Sequence, residues 1–316
     1  MKNHIKHLLF LLQSSVLALF FYSLSRLVFF LYTRNLFPQI YEDGLMAVFW
    51  QGVRFDLSAF AYLNLFFIIM LVFPTRKRET KIYQKVLRYL FVSFNGLALF
   101  LNLSDIVNVQ FTGKRMTADI LSFLLQGEDA NHVAMDFIKD SWPIIIIFIL
   151  LVYAMSKMFK FIQSNHFFLN RSRISWKTYP ISILVLGLTV LAMRGGTQLR
   201  PIKNIHASTF GKGKYVPLIL NSPFSIMSSL GEKGLKEKNY FRPEIAKSYF
   251  DAKTSLSADS ANYKNVVVII LESFSREYIG YYNNFKGYTP FLDSLMRQSL
   301  VCQHAYANGK KSIEGI

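Results

Sequence analysis

The sequence contains a single cysteine, Cys302, among 316 residues. An internal disulfide framework and a cysteine-based metal cluster are therefore excluded. Acidic residues are also scarce, with 19 Asp and Glu against 36 Lys and Arg, and the formal net charge is +17. Such a balance often indicates nucleic-acid binding. Here the basic residues lie mostly in short runs between apolar stretches, so we predict no nucleic-acid partner and attribute the charge to membrane topology.

Apolar residues are abundant. They make up 52% of the chain and include 30 Phe and 17 Tyr, more than an ordinary soluble protein carries. A helix needs roughly 20 apolar residues to cross a bilayer. Five segments approach this requirement, namely 8–32, 46–73, 86–109, 142–162 and 179–194. We therefore predict that residues 1–194 form an α-helical membrane bundle of five transmembrane helices.

Basic residues are distributed unequally between the segments that flank these spans. The N-terminal tail and residues 76–88 and 157–177 together carry 13 Lys and Arg, whereas residues 33–45 and 110–141 carry 4. The positive-inside rule then places the N-terminus in the cytoplasm. With five crossings of the cytoplasmic membrane, everything after Arg194 is expected outside the cell membrane.

Charged residues within or at the ends of the predicted spans, towards the predicted outer leaflet, include Arg54, Asp56, Asp105 and Arg194. Charges at such depth are costly and are usually paired or functional. Two interpretations stay open. An Arg–Asp pair could hold the helices together, or the four side chains could form a pocket that binds an anionic lipid headgroup.

The remainder of the chain divides into a linker and the start of a second domain. Residues 195–262 are polar and irregular, which is typical of an exported strap, with helices expected around 215–230 and 243–250. Residues 263–316 have a different pattern, which predicts an α/β unit.

The α/β prediction depends on three short segments. The continuous apolar run 265–271 predicts a buried parallel strand. Thr289 and Pro290 are a typical N-cap and first residue of a helix, and residues 299–306 indicate a second strand.

Two residues of this region are candidates for chemistry. Glu272 ends the first predicted strand, where α/β sheets bind ligands, so it could supply an oxygen ligand to a divalent cation. A helix cap is the alternative. Ser312 follows Gly309, Lys310 and Lys311 in a predicted turn, where backbone N–H groups and lysines could hold an anionic ester. For Ser312 the alternative is an ordinary N-cap.

Three segments resemble the lipoteichoic acid synthase family of the alkaline phosphatase/sulfatase superfamily. They are Asn-Val-Val-Val-Ile-Ile-Leu-Glu-Ser-Phe at 265–274, Tyr-Thr-Pro-Phe-Leu at 288–292 and Gly-Lys-Lys-Ser at 309–312. Members are membrane-bound phosphoglycerol transferases with five spans and an exported sulfatase-like domain. The resemblance implies that Glu272 binds a catalytic manganese or magnesium ion.

The resemblance also implies that Ser312 replaces the family's usual threonine nucleophile, at the metal, with Lys310 and Lys311 offsetting the charge of the ester. A phosphoglycerol group would pass from phosphatidylglycerol to Ser312 and then to an exported polymer or glycan acceptor. The family's other metal ligands, an Asp-His pair and a His, have no counterpart before Ile316. We therefore expect this chain to be an inactive N-terminal fragment with an incomplete sulfatase-like domain.

Three alternatives stay open. Two belong to the same superfamily: a sulfuric ester hydrolase and a phosphoethanolamine transferase. The third is a non-catalytic membrane fragment.

Overall fold

The computed structural model describes residues 2–119, 141–166, 176–210, 213–230, 265, 267–271, 274–284 and 286–305, with single positions between 242 and 248. Regular structure in these residues is entirely helical, and no strand forms among them. The chain divides into two units, Met1–Lys236 and Glu237–Ile316.

The α-helices of the first unit are α1 Lys2–Thr33, α2 Ile40–Asp43, α3 Leu45–Leu63, α4 Leu65–Val72, α5 Lys81–Thr112, α6 Trp142–His166, α7 Thr178–Arg194, α8 Ala207–Phe210, α9 Val216–Ile219 and α10 Ser222–Ser229. The second unit contains α11 Pro290–Arg297. Short 3-10 turns lie at Arg34–Leu36, Arg76–Glu79, Asn204–His206, Gly213–Tyr215, Arg276–Tyr278 and Gly280–Tyr282.

Each of the five apolar segments predicted as spans is helical. Helices α1, α5 and α6 are long and apolar enough to cross a membrane. Helices α3 and α4 are bent by 70° at a break between them and make a fourth candidate if they count as one span. Helix α7 is apolar but has only 17 residues. The chain is therefore a helical protein with three or four candidate membrane spans, and the count of five crossings stays a prediction.

An aromatic cluster packs four helices of the first unit together. The Phe91 ring of α5 stacks on the Phe159 ring of α6 with centroids 4.2 Å apart. Phe10 of α1 and Phe67 of α4 lie 5.4 and 6.0 Å from the same Phe159 ring. Because lipid tails are as apolar as these side chains, close van der Waals packing rather than the hydrophobic effect would stabilise this contact in a bilayer.

The break between α3 and α4 falls at Asn64, which contacts a buried amide of α5. Asn64 and Asn95 exchange two side-chain hydrogen bonds of 2.8 and 3.2 Å. The Tyr22 hydroxyl of α1 donates to the same Asn95 Oδ1 atom at 2.7 Å. All three side chains are buried, so this amide cluster ties three helices together at the bend.

The first unit continues past Arg194 and includes α9 and α10. Residues 218–226 of this segment are all buried, and they contact α3 and α5. One helix was expected around 215–230, but the structure has two short helices. Pro217 and Pro223 each lie at the first or second position of one of them, where proline is favoured because its missing N–H is not needed. Apolar side chains on both helices then pack into the bundle, which the polar surroundings of the segment concealed.

In the second unit, the helix predicted at Thr289 and Pro290 is present as α11. Thr289 is its N-cap residue, but its hydroxyl donates to Asp293 at 2.9 Å instead of capping a backbone N–H. Of the helix expected at 243–250, only Glu244, Ile245 and Ser248 are described, and all three are helical.

The two predicted strands do not form in the described residues. Residues 267–271 lie outside helix and strand, and their side chains are 54–78% exposed. Residues 299–305 are also neither helix nor strand. The physical reason is that a strand's backbone groups need a neighbouring strand, whereas a helix satisfies its own. An apolar run therefore predicts burial in a sheet only where a pairing partner is present.

Candidate functional site

A buried ion pair joins α1 to α3 in the first unit. Arg26 donates from both terminal guanidinium nitrogens to Asp56, over 2.6 and 2.7 Å. The two side chains are only 2% and 1% exposed. Gly52, one turn earlier on α3, leaves space for the pair, because a Cβ at that position would overlap the Arg26 guanidinium. A bidentate arginine–carboxylate pair is strong and geometrically specific, so it fixes the two helices relative to each other.

The same pair binds the chain between α9 and α10. Arg26 also donates to the carbonyl oxygen of Ile219 at 3.2 Å. Asn221 donates to the Asp56 carboxylate at 2.7 Å, and its own Oδ1 accepts from the backbone N–H of Phe224 at 2.8 Å, which caps α10. The ion pair therefore anchors a non-helical junction as well as two helices.

A second buried acid, Asp105 on α5, anchors the next residue of this junction. It accepts from the Ser222 hydroxyl at 2.7 Å and from Arg115 at 3.4 Å. The backbone N–H of Met116 donates to both of its oxygens at 3.1 Å. Arg115 in turn donates to the carbonyl oxygen of Pro217 at 2.7 Å. Two arginines thus satisfy carbonyl oxygens of the α9 segment while each pairs with one acid.

Arg115 lies just beyond the end of α5 and is fully buried. Burial lowers the pKa of its guanidinium to about 10, and the Arg26 charge acts in the same direction while Asp105 opposes it. Arg115 is therefore still charged at neutral pH, and its contact with Asp105 is ionic. We call the following residues the buried ionic cluster: Arg26, Asp56, Asp105, Arg115, Asn221 and Ser222.

The contacts of the buried ionic cluster are suited to holding the chain in place. Each carboxylate accepts from a guanidinium and from at least one further donor. Among the described residues, no group of three or more His, Cys, Asp or Glu side chains is placed to bind a metal ion. Removing one charged member would leave its ion-pair partner buried without that counter-ion, which is costly.

The structure divides into two groups the four charges that the sequence predicted to lie near one another: the two acids, and the two arginines, which both donate to Gln198. Asp56 and Asp105 belong to the buried ionic cluster. Arg54 instead donates to the Gly195 carbonyl at 2.5 Å and to Gln198 at 2.9 Å. Arg194 donates to two backbone carbonyls a few residues ahead of it. These contacts favour the interpretation in which charges hold helices and chain segments together, although the acids pair with other arginines than Arg54.

Four members of the cluster were not predicted from the sequence: Arg26, Arg115, Asn221 and Ser222. A signal was present for Arg26, since it is the only charged residue in the apolar segment 8–32. A lone arginine in such a segment requires an acidic partner. For Arg115 the sequence gives no comparable signal, because it follows the helix in a polar turn.

The residues predicted to carry chemistry lie outside the described residues. They are the proposed metal ligand Glu272, the proposed nucleophile Ser312, and the two lysines before it, Lys310 and Lys311. Their assignment stays a prediction.

The fold and the contacts thus define a helical protein with candidate membrane spans and an ionic cluster buried between them. No protein-family model matches the chain, and no solved structure matches it.

Proposed function

We propose that this chain belongs to a membrane-bound phosphoglycerol transferase of the lipoteichoic acid synthase type, in the cytoplasmic membrane. One observation carries the proposal: three sequence patterns, at 265–274, 288–292 and 309–312, follow an apolar helical region in this order. Five crossings, a cytoplasmic N-terminus and an exported α/β sulfatase-like domain are part of the same proposal.

The reaction would begin on phosphatidylglycerol. The Ser312 oxygen would bond to phosphorus, and the phosphorus–oxygen bond to diacylglycerol would break, with the proton of the serine passing to the leaving alkoxide. Lys310 and Lys311 would offset the charge of the phosphate. Glu272 would help hold a manganese or magnesium ion, and that ion would lower the pKa of the Ser312 hydroxyl. An exported polymer or glycan hydroxyl would then take the phosphoglycerol group from Ser312.

The described part of the second pattern supports the proposal. Helix α11 begins at Pro290 within it. Asp293, at the end of its first turn, is buried and accepts from the Thr289 hydroxyl and from the Tyr281 backbone N–H, both at 2.9 Å. The Tyr288 backbone N–H donates to the Tyr278 carbonyl at 3.1 Å. The second pattern therefore lies in a hydrogen-bonded turn and helix start, which is expected of a motif in a folded domain.

The first pattern is consistent with an α/β domain in a different way. The apolar side chains of residues 267–271 are more than half exposed. An exposed apolar run is suited to pairing with a neighbouring strand. Residues 267–271 are therefore available to pair with a strand of the proposed domain.

The proposal is tested by trapping the intermediate. The protein expressed from its full reading frame is placed in liposomes with phosphatidylglycerol labelled in the headgroup glycerol, with manganese added. We expect label on the peptide that contains Ser312, and loss of that label to background in Ser312→Ala. Glu272→Gln and a chelator should also reduce the label to background.

Ser299→Ala is the matched control, since Ser299 is an exposed serine that donates to the Leu295 carbonyl in the same unit. It should leave the label unchanged. Equal labelling of wild type and Ser312→Ala, or none with phosphatidylglycerol, would remove the proposal. Label from phosphatidylethanolamine instead would favour phosphoethanolamine transfer.

A further inference from the structure

The loop that follows α7 presents a fully exposed leucine on an ordered backbone. We call residues 195–203 the Leu199 loop. The Leu199 side chain is 98% exposed. Arg194 donates to the carbonyl oxygens of Gln198 and Leu199 at 3.0 and 2.9 Å, and the Gln198 amide donates back to the Arg194 carbonyl at 2.7 Å. Leu199 therefore extends from a hydrogen-bonded turn.

The far side of the Leu199 loop is also fixed to the first unit. Ile202 is buried, and its backbone N–H donates to the Arg194 carbonyl at 3.1 Å. Its side chain lies against Gly195, whose φ of +73° and lack of a Cβ permit the close approach. Arg54 donates to the Gly195 carbonyl from α3. One isoleucine of the loop is thus packed inward while the leucine is left outside.

The charged residues that follow Leu199 closely in the chain are all basic. Arg200 is exposed directly beside it, and Lys203 is exposed three residues later. No acidic residue occurs from Arg194 to Gly231. Ile205, just past the loop, adds a second apolar side chain that is 73% exposed. Exposed apolar side chains with basic neighbours are the composition that binds the interface of an anionic membrane.

The position of the loop favours a bilayer as the occupant of this surface. It follows an apolar helix, α7, without a spacer. The exposed apolar side chains of that helix include Ile183, Leu184, Leu188, Val190 and Leu191. A helix with such a face lies against lipid if it crosses the membrane, so the residues after its last turn are at the level of the headgroups.

We propose that the Leu199 loop inserts Leu199 into the bilayer interface and places Arg200 on the phosphates of anionic phospholipids. This inference rests on one part of the proposed function, that α7 crosses the membrane, whereas the second unit and its chemistry do not enter it. The binding partner is the anionic phospholipid surface itself.

The test uses the full chain in lipid nanodiscs with and without phosphatidylglycerol. A single cysteine replaces Leu199 in the Cys302→Ser background and carries the fluorophore NBD. We expect blue-shifted emission, quenching by nitroxide on the lipid acyl chain, and protection from aqueous iodide. Protection should be greater with phosphatidylglycerol. Arg200→Gln should reduce that difference by up to about five-fold, the effect of one basic residue near an anionic surface.

Two matched variants keep the outcome decisive. Thr209→Cys, an exposed position past the loop, reports the iodide quenching of a label outside it. Lys77→Gln removes an exposed charge shortly after α4 and should leave the lipid preference unchanged. The end of α4 contacts the start of α7 through Ser182, so Lys77 lies near the end of α7 opposite to the Leu199 loop. If the Leu199 label is quenched by iodide as fully as the Thr209 label in both nanodiscs, the proposal is overturned. An equal effect of Lys77→Gln and Arg200→Gln would overturn the role of Arg200.

Discussion

Two buried polar clusters stabilise the first unit, and they use different chemistry. Around the bend at Asn64, neutral hydrogen bonds of 2.7–3.2 Å connect Asn64, Asn95 and Tyr22. The buried ionic cluster instead uses two Arg–Asp pairs. The neutral cluster joins residues that lie in helices or at the break between two of them. The ionic cluster also satisfies carbonyl oxygens of the α9 segment.

The difference has a physical reason. Helix residues satisfy their own backbone groups, so their side chains need only pair with one another. Carbonyl oxygens near the ends of the short helix α9 need outside donors, since the last carbonyls of a helix have no partner within it. Guanidinium groups supply several donors from one side chain, and their charge then demands the acids. The dependence on charge should make the ionic cluster the more sensitive of the two.

The largest expected effect is that of Asp56→Ala, which leaves Arg26 buried without its carboxylate. We expect a loss of about 3–5 kcal/mol in unfolding free energy, measured by denaturant titration in mild detergent. Glu42→Ala, at an exposed acid, should stay within about 0.5 kcal/mol of wild type. The double variant Arg26→Met, Asp56→Leu should recover much of the loss. Equal destabilisation by the Asp56 and Glu42 variants would show that the pair is unimportant.

The next effect is that of Asp105→Asn, which keeps the shape but removes the charge that Arg115 and Ser222 contact. Hydrogen bonds to charged groups contribute about 1.5–3 kcal/mol, so a loss of this size is expected. The loss should be local. Amide hydrogen exchange should accelerate most at Ser222 and Phe224, and far less at Phe159 in the aromatic cluster. Uniform acceleration across the unit would contradict the assigned anchoring role.

The neutral cluster should respond less and should be replaceable. Asn95→Leu leaves the Asn64 amide and the Tyr22 hydroxyl buried without their partner, at a cost of about 1–3 kcal/mol. Adding Asn64→Leu and Tyr22→Phe removes the unpaired groups and should recover most of that free energy. Failure to recover would mean that the polar groups themselves specify the bend.

The smallest effect is expected at the partly exposed ion pair between Lys214 and Asp43, whose Nζ and Oδ2 atoms lie 3.1 Å apart. Exposed pairs contribute little, because water and salt screen them. Lys214→Gln should leave the thermal midpoint unchanged within error, in low and high salt alike. If Lys214→Gln lost as much stability as Asp105→Asn, burial would not explain why the ionic cluster is the more sensitive site.

The helices of the first unit could be predicted from the sequence, because an apolar segment of sufficient length satisfies its backbone by itself. The pairing of Asp56 with Arg26 could not be predicted, because Arg54 is the nearer arginine in sequence. Which arginine reaches Asp56 depends on how α1 and α3 are rotated relative to each other. The buried segment 218–226 was concealed by its polar flanks. The strand predicted at 265–271 does not form in its described residues, because strand pairing depends on distant parts of the chain. The Thr289–Pro290 helix start, a local signal, was confirmed.

The junction between α9 and α10 has a mechanical consequence. Any pulling force on the chain beyond Ser229 reaches Ser222 and Asn221 before it reaches α7. Their hydrogen bonds to Asp105 and Asp56 would pass that load sideways into α5 and α3. The apolar helix α7 and the Leu199 loop would then bear less of that load.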